Sequence, residues 1–400
     1  MVGQMMQPAE RVVITGLAAS TCCGVGIEPL FQRFARGLRS NADSEADFSS
    51  QTNGFKKFAK ISLDIRDLVR KTRTDNLLTQ HVLAAVECDL GTQISQWNEE
   101  IKGNVGVVLG NTSGHVKQYL KYYMTATREG YEFVNPMHFP ATLLNYSTVQ
   151  LNNAFSLRGS STTISSGFSA GFEAIGYAAL QLKLGREQLM LAGGIEEMND
   201  LILGILHREA FSKLEGIQPL SKGDRTTPGE GVGILMLESL LRAEREGRKP
   251  FGEILGYGNC KGDAKTGDLH RIAAAALYRA LQQADLGVGD IEAIFPSANG
   301  NPAVDGFELR VLKEVFGSRL QSIPLYPIES IIGECFTAAG PLQCIAATYA
   351  LHMETDPTKH PQTRANGLLL PNTISPCRMA LVSSLGFDHT FSAMIIGKVN

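Results

Sequence analysis

The sequence predicts an α/β protein built from two similar halves, and three observations lead to this fold class. Short, continuous apolar runs have the β-branched composition of strands. Ala- and Leu-rich stretches of helical length alternate with them. The second half of the 400-residue chain then repeats the pattern of the first. Strands that are apolar throughout favour a sheet covered by helices on both faces.

The predicted strands are mainly apolar, and most of them end in glycine. They lie at 11–16, 105–110, 189–194, 232–237 and 380–386. The helices between them are predicted from their length and their Ala and Leu content. They lie at 27–38, 74–91, 172–184, 238–247, 269–285 and 339–353.

The internal repeat indicates two halves that meet near residue 250. The segments 167–184 and 335–352 both pass from a turn of small residues into an Ala-rich helix, and an apolar strand ending in glycine follows each. We therefore expect an N-terminal half, residues 1–250, and a C-terminal half, residues 251–400, without a linker between them.

Composition excludes several function classes. The net charge is −3, so the basic excess of a nucleic-acid-binding protein is missing. The seven cysteines include no CxxC pair, which argues against a zinc site. The turn Gly24-Val25-Gly26 lacks the third glycine and the later acidic residue of a dinucleotide fingerprint. We expect neither a metal nor a cofactor.

The hydropathy pattern predicts a cytoplasmic protein with reduced thiols. No run of about 18 apolar residues indicates a membrane-spanning helix, and the first ten residues do not resemble a signal peptide. Charged residues make up only 19% of the chain. This small share of charged residues is a first indication that another subunit covers part of the surface.

Several short motifs, spread over nearly the whole chain, resemble those of the β-ketoacyl synthases of the thiolase superfamily. They are the segments 11–17, 157–160, 173–178, 191–196 and 229–231, together with Asp224-Arg225 and Gly386-Phe387. The resemblance implies a thiolase-like five-layer αβαβα sandwich of two similar halves. It also implies a dimer formed through a strand near 160–166.

The family's reactive residues do not occur at the corresponding positions of this chain. Its nucleophilic cysteine, at a strand-to-helix turn, corresponds to Phe168, and its first histidine, in an Ala-His-Gly turn, corresponds to Asn299. The family's lysine and second histidine correspond to Glu329 and Glu334. The resemblance therefore implies a degenerate site without a catalytic residue.

Positions around this set are partly retained. Asp305 and Glu308 match the family's pattern after the first histidine position. By contrast, Asp388 and His389 replace the glycines that follow Gly386-Phe387 in the family.

The chemistry of the substituted residues argues against the family's reaction. Phe168 has no atom that can attack a thioester. Asn299 can still donate one hydrogen bond to a thioester oxygen, whereas an ionised Glu334 only accepts hydrogen bonds and would repel a malonyl carboxylate. Removing one donor from such a site costs about a hundred- to a thousand-fold in rate, and here the nucleophile is missing as well.

Within the family, this chain resembles the chain-length factors of type II polyketide systems. Such a subunit heterodimerises with an active ketosynthase and helps shape the tunnel that sets polyketide length. The resemblance implies two partners, a ketosynthase subunit and an acyl carrier protein that bears the growing chain. Phe168 stands where the subfamily usually has glutamine, so this chain would be an atypical member.

Two segments supply candidate residues for the tunnel and the interface. The stretch 113–123 is similar to the family's helix at the dimer seam, and 136–140 is similar to a loop that crosses the family's interface. The candidates are His115, Tyr119, Leu120, Tyr122, Tyr123, His138 and Phe139. Ordinary interface packing is the alternative for each of them, and we assign Met137 to packing.

Other interpretations remain open for the degenerate site. Phe168 is either a plug in the vacated acyl site, which we favour, or a core phenylalanine. Glu329 and Glu334 would form a new acid pair, or, as we expect, each is bridged by a basic group or faces solvent. Cys335 is a displaced nucleophile or, as we expect, a small buried hydrophobe.

Two rival functions follow from these alternatives. One is an enzyme with a rebuilt site around Glu329, Glu334 and Cys335, for hydrolysis, cyclisation or acyl transfer. The other is a thiolase-fold homodimer that only binds acyl chains.

Overall fold

The computed structural model covers most of the two predicted halves. The described residues are 10–38, 59–61, 74, 76–199, 201–204, 219–220, 227–263, 267–353, 364–365, 367–386 and 388–399. Three residues of the family-like motifs, Asp224, Arg225 and Phe387, lie outside the described residues.

Each of the five predicted strands is present, and further strands appear that the pattern did not predict. They are β1 (Val12–Thr21), β2 (Gly24–Val25), β3 (Val105–Gly110), β4 (Ser161–Ile164), β5 (Leu189–Glu196), β6 (Gly231–Ser239), β7 (Gly252–Lys261), β8 (Ala293–Phe295), β9 (Arg364–Ala365), β10 (Leu368–Leu369), β11 (Met379–Leu385) and β12 (Thr390–Gly397).

The helices match the predicted ones to within a few residues, and others appear that the pattern did not predict. They are α1 (Ile27–Arg36), α2 (Leu77–Ser95), α3 (Glu99–Gly103), α4 (Val116–Arg128), α5 (Tyr146–Phe155), α6 (Ala170–Lys183), α7 (Leu240–Arg245), α8 (Leu269–Gln283), α9 (Pro302–Phe316), α10 (Glu329–Ile332) and α11 (Ala339–His352). Short 3₁₀ helices include Tyr131–Phe133, Pro136–Thr142 and Phe336–Ala338.

The main sheet shows the internal repeat directly. Its ten strands follow the order β4-β3-β5-β6-β1-β7-β12-β11-β8, with β2 paired to β1. From β1 outward, β6 and β5 are antiparallel neighbours and β3 is parallel to β5. From β7 outward, β12 and β11 are antiparallel neighbours and β8 is parallel to β11. The two halves therefore share one topology, while their division at residue 250 stays a prediction.

The core clusters show five layers. Alternate residues of β6 face opposite sides: Leu235 and Leu237 pack into a central core with α6 and α11, whereas Ile234 and Met236 pack into an outer core with α2. In the second half, β12 divides in the same way between the central core and an outer core formed with α8 and α9. The predicted five-layer thiolase-like sandwich is confirmed. No helix within the described ranges is long and apolar enough to cross a bilayer.

One close contact joins the halves beside the candidate site. A Cβ added to Gly171 in α6 would lie 2.1 Å from the carbonyl oxygen of Thr337, and one added to Gly194 in β5 would lie 2.2 Å from it. Real Cβ atoms do not approach another atom this closely, so both positions need glycine. The turn Phe336–Ala338 of the second half is thereby seated on the start of α6.

We predict that Gly171→Ala destabilises the protein by about 1–3 kcal/mol, because the added methyl group overlaps the Thr337 carbonyl. The matched control is Gly306→Ala in α9, where the added Cβ meets only the Arg310 Nη1 atom at 4.0 Å. This second helical glycine should be neutral or stabilising on replacement. Urea unfolding of both variants checks the prediction, and equal midpoints would contradict it.

Candidate functional site

The four substituted positions lie together at the junction of the two halves. Phe168 lies just before α6, Asn299 follows β8, and Glu329 and Glu334 lie in and just after α10. Asn299 hydrogen-bonds to Glu334, and Phe168 contacts the aromatic ring that follows Glu334 by two residues. The Glu334 carboxyl group also acts electrostatically on Glu329, so the four positions form one cluster.

Phe168 packs against aromatic and aliphatic side chains. Its ring centroid lies 5.0 Å from that of Phe336, and Met198 and Leu203 belong to the same small cluster. Its backbone N–H donates to the carboxylate of Asp388 at 3.1 Å. The benzyl group thus fills apolar space at the start of α6 and brings no reactive atom.

Asn299 and Glu334, the two histidine positions, bind each other. The Asn299 Nδ2 atom donates to Glu334 Oε2 at 2.6 Å, and the Phe336 N–H donates to Glu334 Oε1 at 2.7 Å. Both side chains are buried. One of the two N–H groups of the Asn299 amide is thus directed at Glu334, and our expectation that the amide can donate to a thioester oxygen stays a prediction.

Glu329 is fully buried and lacks an ionic partner among the described residues. Its Oε1 atom accepts from Gln343 Nε2 at 2.7 Å. Burial and the nearby carboxyl group of Glu334 raise the pKa of Glu329 well above its ordinary value. Burial also raises the pKa of Glu334, although its two hydrogen-bond donors offset part of the effect.

The expectation that a basic group bridges Glu329 and Glu334, or that they face solvent, is therefore wrong. Both are buried, and no ion pair found among the described side chains includes either of them. Because burial without a cation disfavours the carboxylate, both side chains favour the protonated, neutral acid.

Cys335 is buried next to these acids and makes only weak contacts to backbone oxygens. Its Sγ atom donates to the carbonyl of Glu230 at 3.4 Å and to that of Ile332 at 3.5 Å. Burial, and then the carboxyl groups of Glu334 and Glu329, raise the pKa of Cys335 well above its ordinary value. A thiol in this state is a poor nucleophile.

Further buried carboxyl groups surround the site. Burial raises the pKa of Glu196, Glu230 and Glu308 to about 7. Asp305 accepts hydrogen bonds from the backbone N–H groups of Asn299 and Gly300 at 3.0 and 3.1 Å, which fixes the turn after β8. Within the described part of the chain, no group of three His, Cys, Asp or Glu side chains is arranged to hold a metal ion.

The interface candidates lie on and around α4, and His115 differs from the others. His115 is buried; its Nδ1 atom accepts from Asn76 Nδ2 at 2.9 Å, and Ser147 lies 3.4 Å from its Nε2 atom. Burial lowers the pKa of His115 to about 4. The expectation that His115 gates a tunnel is wrong, because its neutral ring is part of the polar network at the start of α4.

The other candidates form an aromatic flank on and after α4. Tyr119 and Tyr123 are 54% and 52% exposed and stack with ring centroids 6.1 Å apart. Tyr122 contacts Phe139, at 5.9 Å between centroids. Leu120 is half-buried, and His138 is exposed. Not one residue of the 13-residue helix α4 is buried.

A cavity of about 800 Å³ lies between α4 and the segment that follows it. Tyr122, Phe133, Met137, His138 and Tyr146 contribute to its walls. Met137, which we assigned to packing, is 81% exposed at the tip of the 3₁₀ helix Pro136–Thr142.

The N-terminal end of α4 is tied to the body of the protein near the degenerate site. The Ser113 hydroxyl donates to Glu196, whose other oxygen accepts from the Thr337 N–H at 3.3 Å. Lys117 pairs with Glu197 at 2.9 Å. Two consecutive glutamates at the end of β5 therefore connect the flank to the turn beside Glu334.

Sequence reasoning missed the residues that close the site. Phe336, Gln343 and Glu196 carry contacts that no motif indicates. Asp388 was visible only as a replaced glycine, and its contact with the Phe168 N–H depends on how the β11–β12 turn meets α6.

Comparison with known proteins identifies the family. The model of the β-ketoacyl synthase N-terminal domain matches residues 9–243, and that of the C-terminal domain matches residues 251–362. The chain belongs to the β-ketoacyl synthase family. This β-ketoacyl synthase homologue is 24% identical over 438 residues to a mitochondrial 3-oxoacyl-[acyl-carrier-protein] synthase of Arabidopsis thaliana, covering 98% of this chain and 94% of the relative.

Two solved structures share the fold of this β-ketoacyl synthase homologue. The ishigamide ketosynthase/chain length factor matches with a TM-score of 0.81 and 20% identity over 98% of this chain and 100% of that one. A type II PKS acyl-carrier protein in complex with its ketosynthase, bound to the hexaketide, gives 0.79 and 20% over the same shares.

We predict that Glu329→Gln changes the pH dependence of stability. The folded wild type keeps the Glu329 proton above pH 4.5, the ordinary pKa, whereas the unfolded chain loses it. As the pH rises above 4.5, the wild type should therefore lose stability relative to the variant, by on the order of 1.4 kcal/mol per pH unit until the folded pKa is reached.

Urea unfolding of both proteins at pH 5, 6, 7 and 8 measures this difference. The control is Glu99→Gln, an exposed acid paired with Arg158, whose difference from the wild type should stay nearly constant. A constant difference for Glu329→Gln would contradict the prediction.

Proposed function

We propose that this chain is a non-catalytic ketosynthase-like subunit, of the chain-length-factor type, that heterodimerises with an active ketosynthase. It would help shape the tunnel for polyketide chain elongation on an acyl carrier protein. The observation that carries the proposal is the chemistry of the site: Phe168 offers no nucleophile, and Asn299 and Glu334 are hydrogen-bonded to each other. No acyl-enzyme can form at such a position.

The exposed apolar side chains of the aromatic flank support the proposal that a partner subunit binds there. Large apolar side chains are exposed along one continuous stretch of chain, far more than a solvent-facing helix and loop would carry. They are Tyr119, Tyr123, Tyr131, Phe133, Met137, Phe139, Leu143, Leu144 and Val149. A partner surface that covers them would remove this apolar area from water.

The strand at the edge of the sheet gives further support. β4 is an end strand of the main sheet and pairs along one side with β3. Its residues are exposed or half-buried. An unpaired strand edge can accept a strand from another chain through backbone hydrogen bonds. This edge lies where the resemblance implies that family dimers join.

The chemistry of the site favours an active ketosynthase as the partner over a second copy of this chain. A homodimer of this chain would contain two sites without a nucleophile, so nothing in it could elongate an acyl chain. A heterodimer would contain one working site and one wall-forming subunit. Among proteins of similar fold are a ketosynthase/chain length factor and a ketosynthase in complex with an acyl-carrier protein.

We assign the tunnel and interface role to Tyr119, Leu120, Tyr122, Tyr123, His138 and Phe139. We favour this role over the alternative of a rebuilt catalytic site around Glu329, Glu334 and Cys335. Both acids have raised pKa values without a paired base, and the pKa of the buried thiol is raised as well.

We predict that this chain forms a stable 1:1 complex with an active ketosynthase when co-expressed with candidate ketosynthases, and that Tyr119→Glu weakens that complex at least tenfold. A buried carboxylate in the interface would be unpaired and costly. The matched control is Tyr278→Glu on α8, a tyrosine that is 46% exposed but distant in the chain from the flank; it should leave the complex unchanged. Sedimentation analysis measures both, and a chain that stays homodimeric beside the ketosynthase would contradict the proposal.

We also predict that His138 affects product length in the reconstituted complex. His138→Ala should lengthen the main product and His138→Trp should shorten it, because the tunnel end would be widened or narrowed. His270→Ala, at a partly exposed histidine of α8, is the control. Mass spectrometry of the released products provides the measurement, and identical lengths for all three variants would remove the tunnel assignment.

A further inference from the structure

Asp388 lies at the turn between β11 and β12 and reaches the beginning of α6. Its Oδ2 atom accepts from the Phe168 N–H at 3.1 Å. Its Oδ1 atom accepts from the Thr390 hydroxyl at 2.6 Å and from the Thr390 N–H at 3.3 Å. The carboxylate is therefore fixed from both sides, at the position where the family's motif has glycine.

The turn before α6 leaves a space for this carboxylate. Gly167 has φ of +130°, and a Cβ added there would overlap Asp388 Oδ2. The Gly167 carbonyl in turn accepts from the Thr112 hydroxyl at 2.5 Å. Any side chain at position 167 would displace Asp388, so the carboxylate and the glycine depend on each other.

A carboxylate at this place has a direct chemical effect. The backbone N–H groups at the start of a helix attract anions, and α6 runs for 14 residues behind them. A thioester oxygen that gains negative charge during attack at position 168 would need such donors. Asp388 already uses the Phe168 N–H and would repel a second negative charge.

We propose that Asp388 is a built-in anion that occupies the N-terminal end of α6 and closes the site to acyl thioesters and malonyl carboxylates, independently of Phe168. The site is then closed twice, once by the missing nucleophile and once by the carboxylate. This goes beyond the proposed partner role and does not depend on it, because restoring a thiol alone would leave the closure in place.

The chain provides a matched control for this contact. Asp89 also accepts a backbone hydrogen bond near a helix start: its Oδ1 atom accepts from the N–H of Ile27, the first residue of α1, at 3.0 Å, whereas Asp388 accepts from Phe168, two residues before α6. Removing the charge of Asp89 tests the general effect of losing a carboxylate from a helix N-terminus. Removing that of Asp388 tests the contact at Phe168.

The experiment compares three variants of the full chain: Phe168→Cys, Phe168→Cys/Asp388→Asn and Phe168→Cys/Asp89→Asn. Iodoacetamide alkylation at position 168 is followed by peptide mass spectrometry, which separates it from the native cysteines. Asn keeps the shape of Asp388 and removes its charge, so the thiolate fraction and the rate should rise about tenfold, as for one pKa unit. The Asp89 variant should react within about twofold of Phe168→Cys.

Equal rates in all three variants would overturn the proposal. A second measurement keeps Phe168 in place. Amide hydrogen exchange of the peptide that contains residue 168 should be faster in Asp388→Ala than in the wild type, because the acceptor of that N–H is gone. Unchanged protection at Phe168 would likewise overturn the assignment, even if Phe168→Cys did not fold.

Discussion

The close approach of the Thr337 carbonyl to α6 and β5 determines the geometry of the whole site. Because Gly171 and Gly194 carry no side chain, the turn Phe336–Ala338 lies directly on the first half. Glu334 and Cys335 come just before this turn, and Phe168 comes just before α6. The contact between two backbones therefore brings the substituted positions of both halves together.

In this geometry, two carboxyl groups are buried together without a cation to neutralise them. Glu329 and Glu334 are buried in one cluster, and the cations that the family's lysine and histidines would supply are missing. Two buried acids are tolerable side by side because desolvation raises their pKa values, so that protons replace counter-ions. Hydrogen bonds from Asn299, Gln343 and the Phe336 N–H satisfy most of the carboxyl oxygens. The polar groups of the site therefore hydrogen-bond to one another, as buried polar groups in a protein core do.

The fold was predictable because it depends on patterns that are local in the sequence. Apolar strands such as β1 and β6 and the nearly all-apolar helix α11 indicate burial on both faces. The proposed loss of the nucleophile depends on a single residue type at position 168, which the sequence displays directly. By contrast, α4 and α9 carry mixed polar and apolar residues, and periodicity alone did not separate them from loops.

The site contacts could not be predicted because they join distant segments. Asp388 and Phe168 are 220 positions apart, and whether a carboxylate meets solvent or a helix N-terminus depends on the angle between two turns. His115 shows the same limit: its place in the sequence is that of an interface residue, but the ring turns inward to Asn76.

The aromatic flank itself has a consequence for the cell. A helix without one buried residue exposes apolar side chains that favour aggregation and proteolysis of the chain alone. In the heterodimer that we propose, the supply of the two subunits would therefore have to match. Balanced synthesis of the two chains would then be a requirement of the proposed heterodimer's architecture.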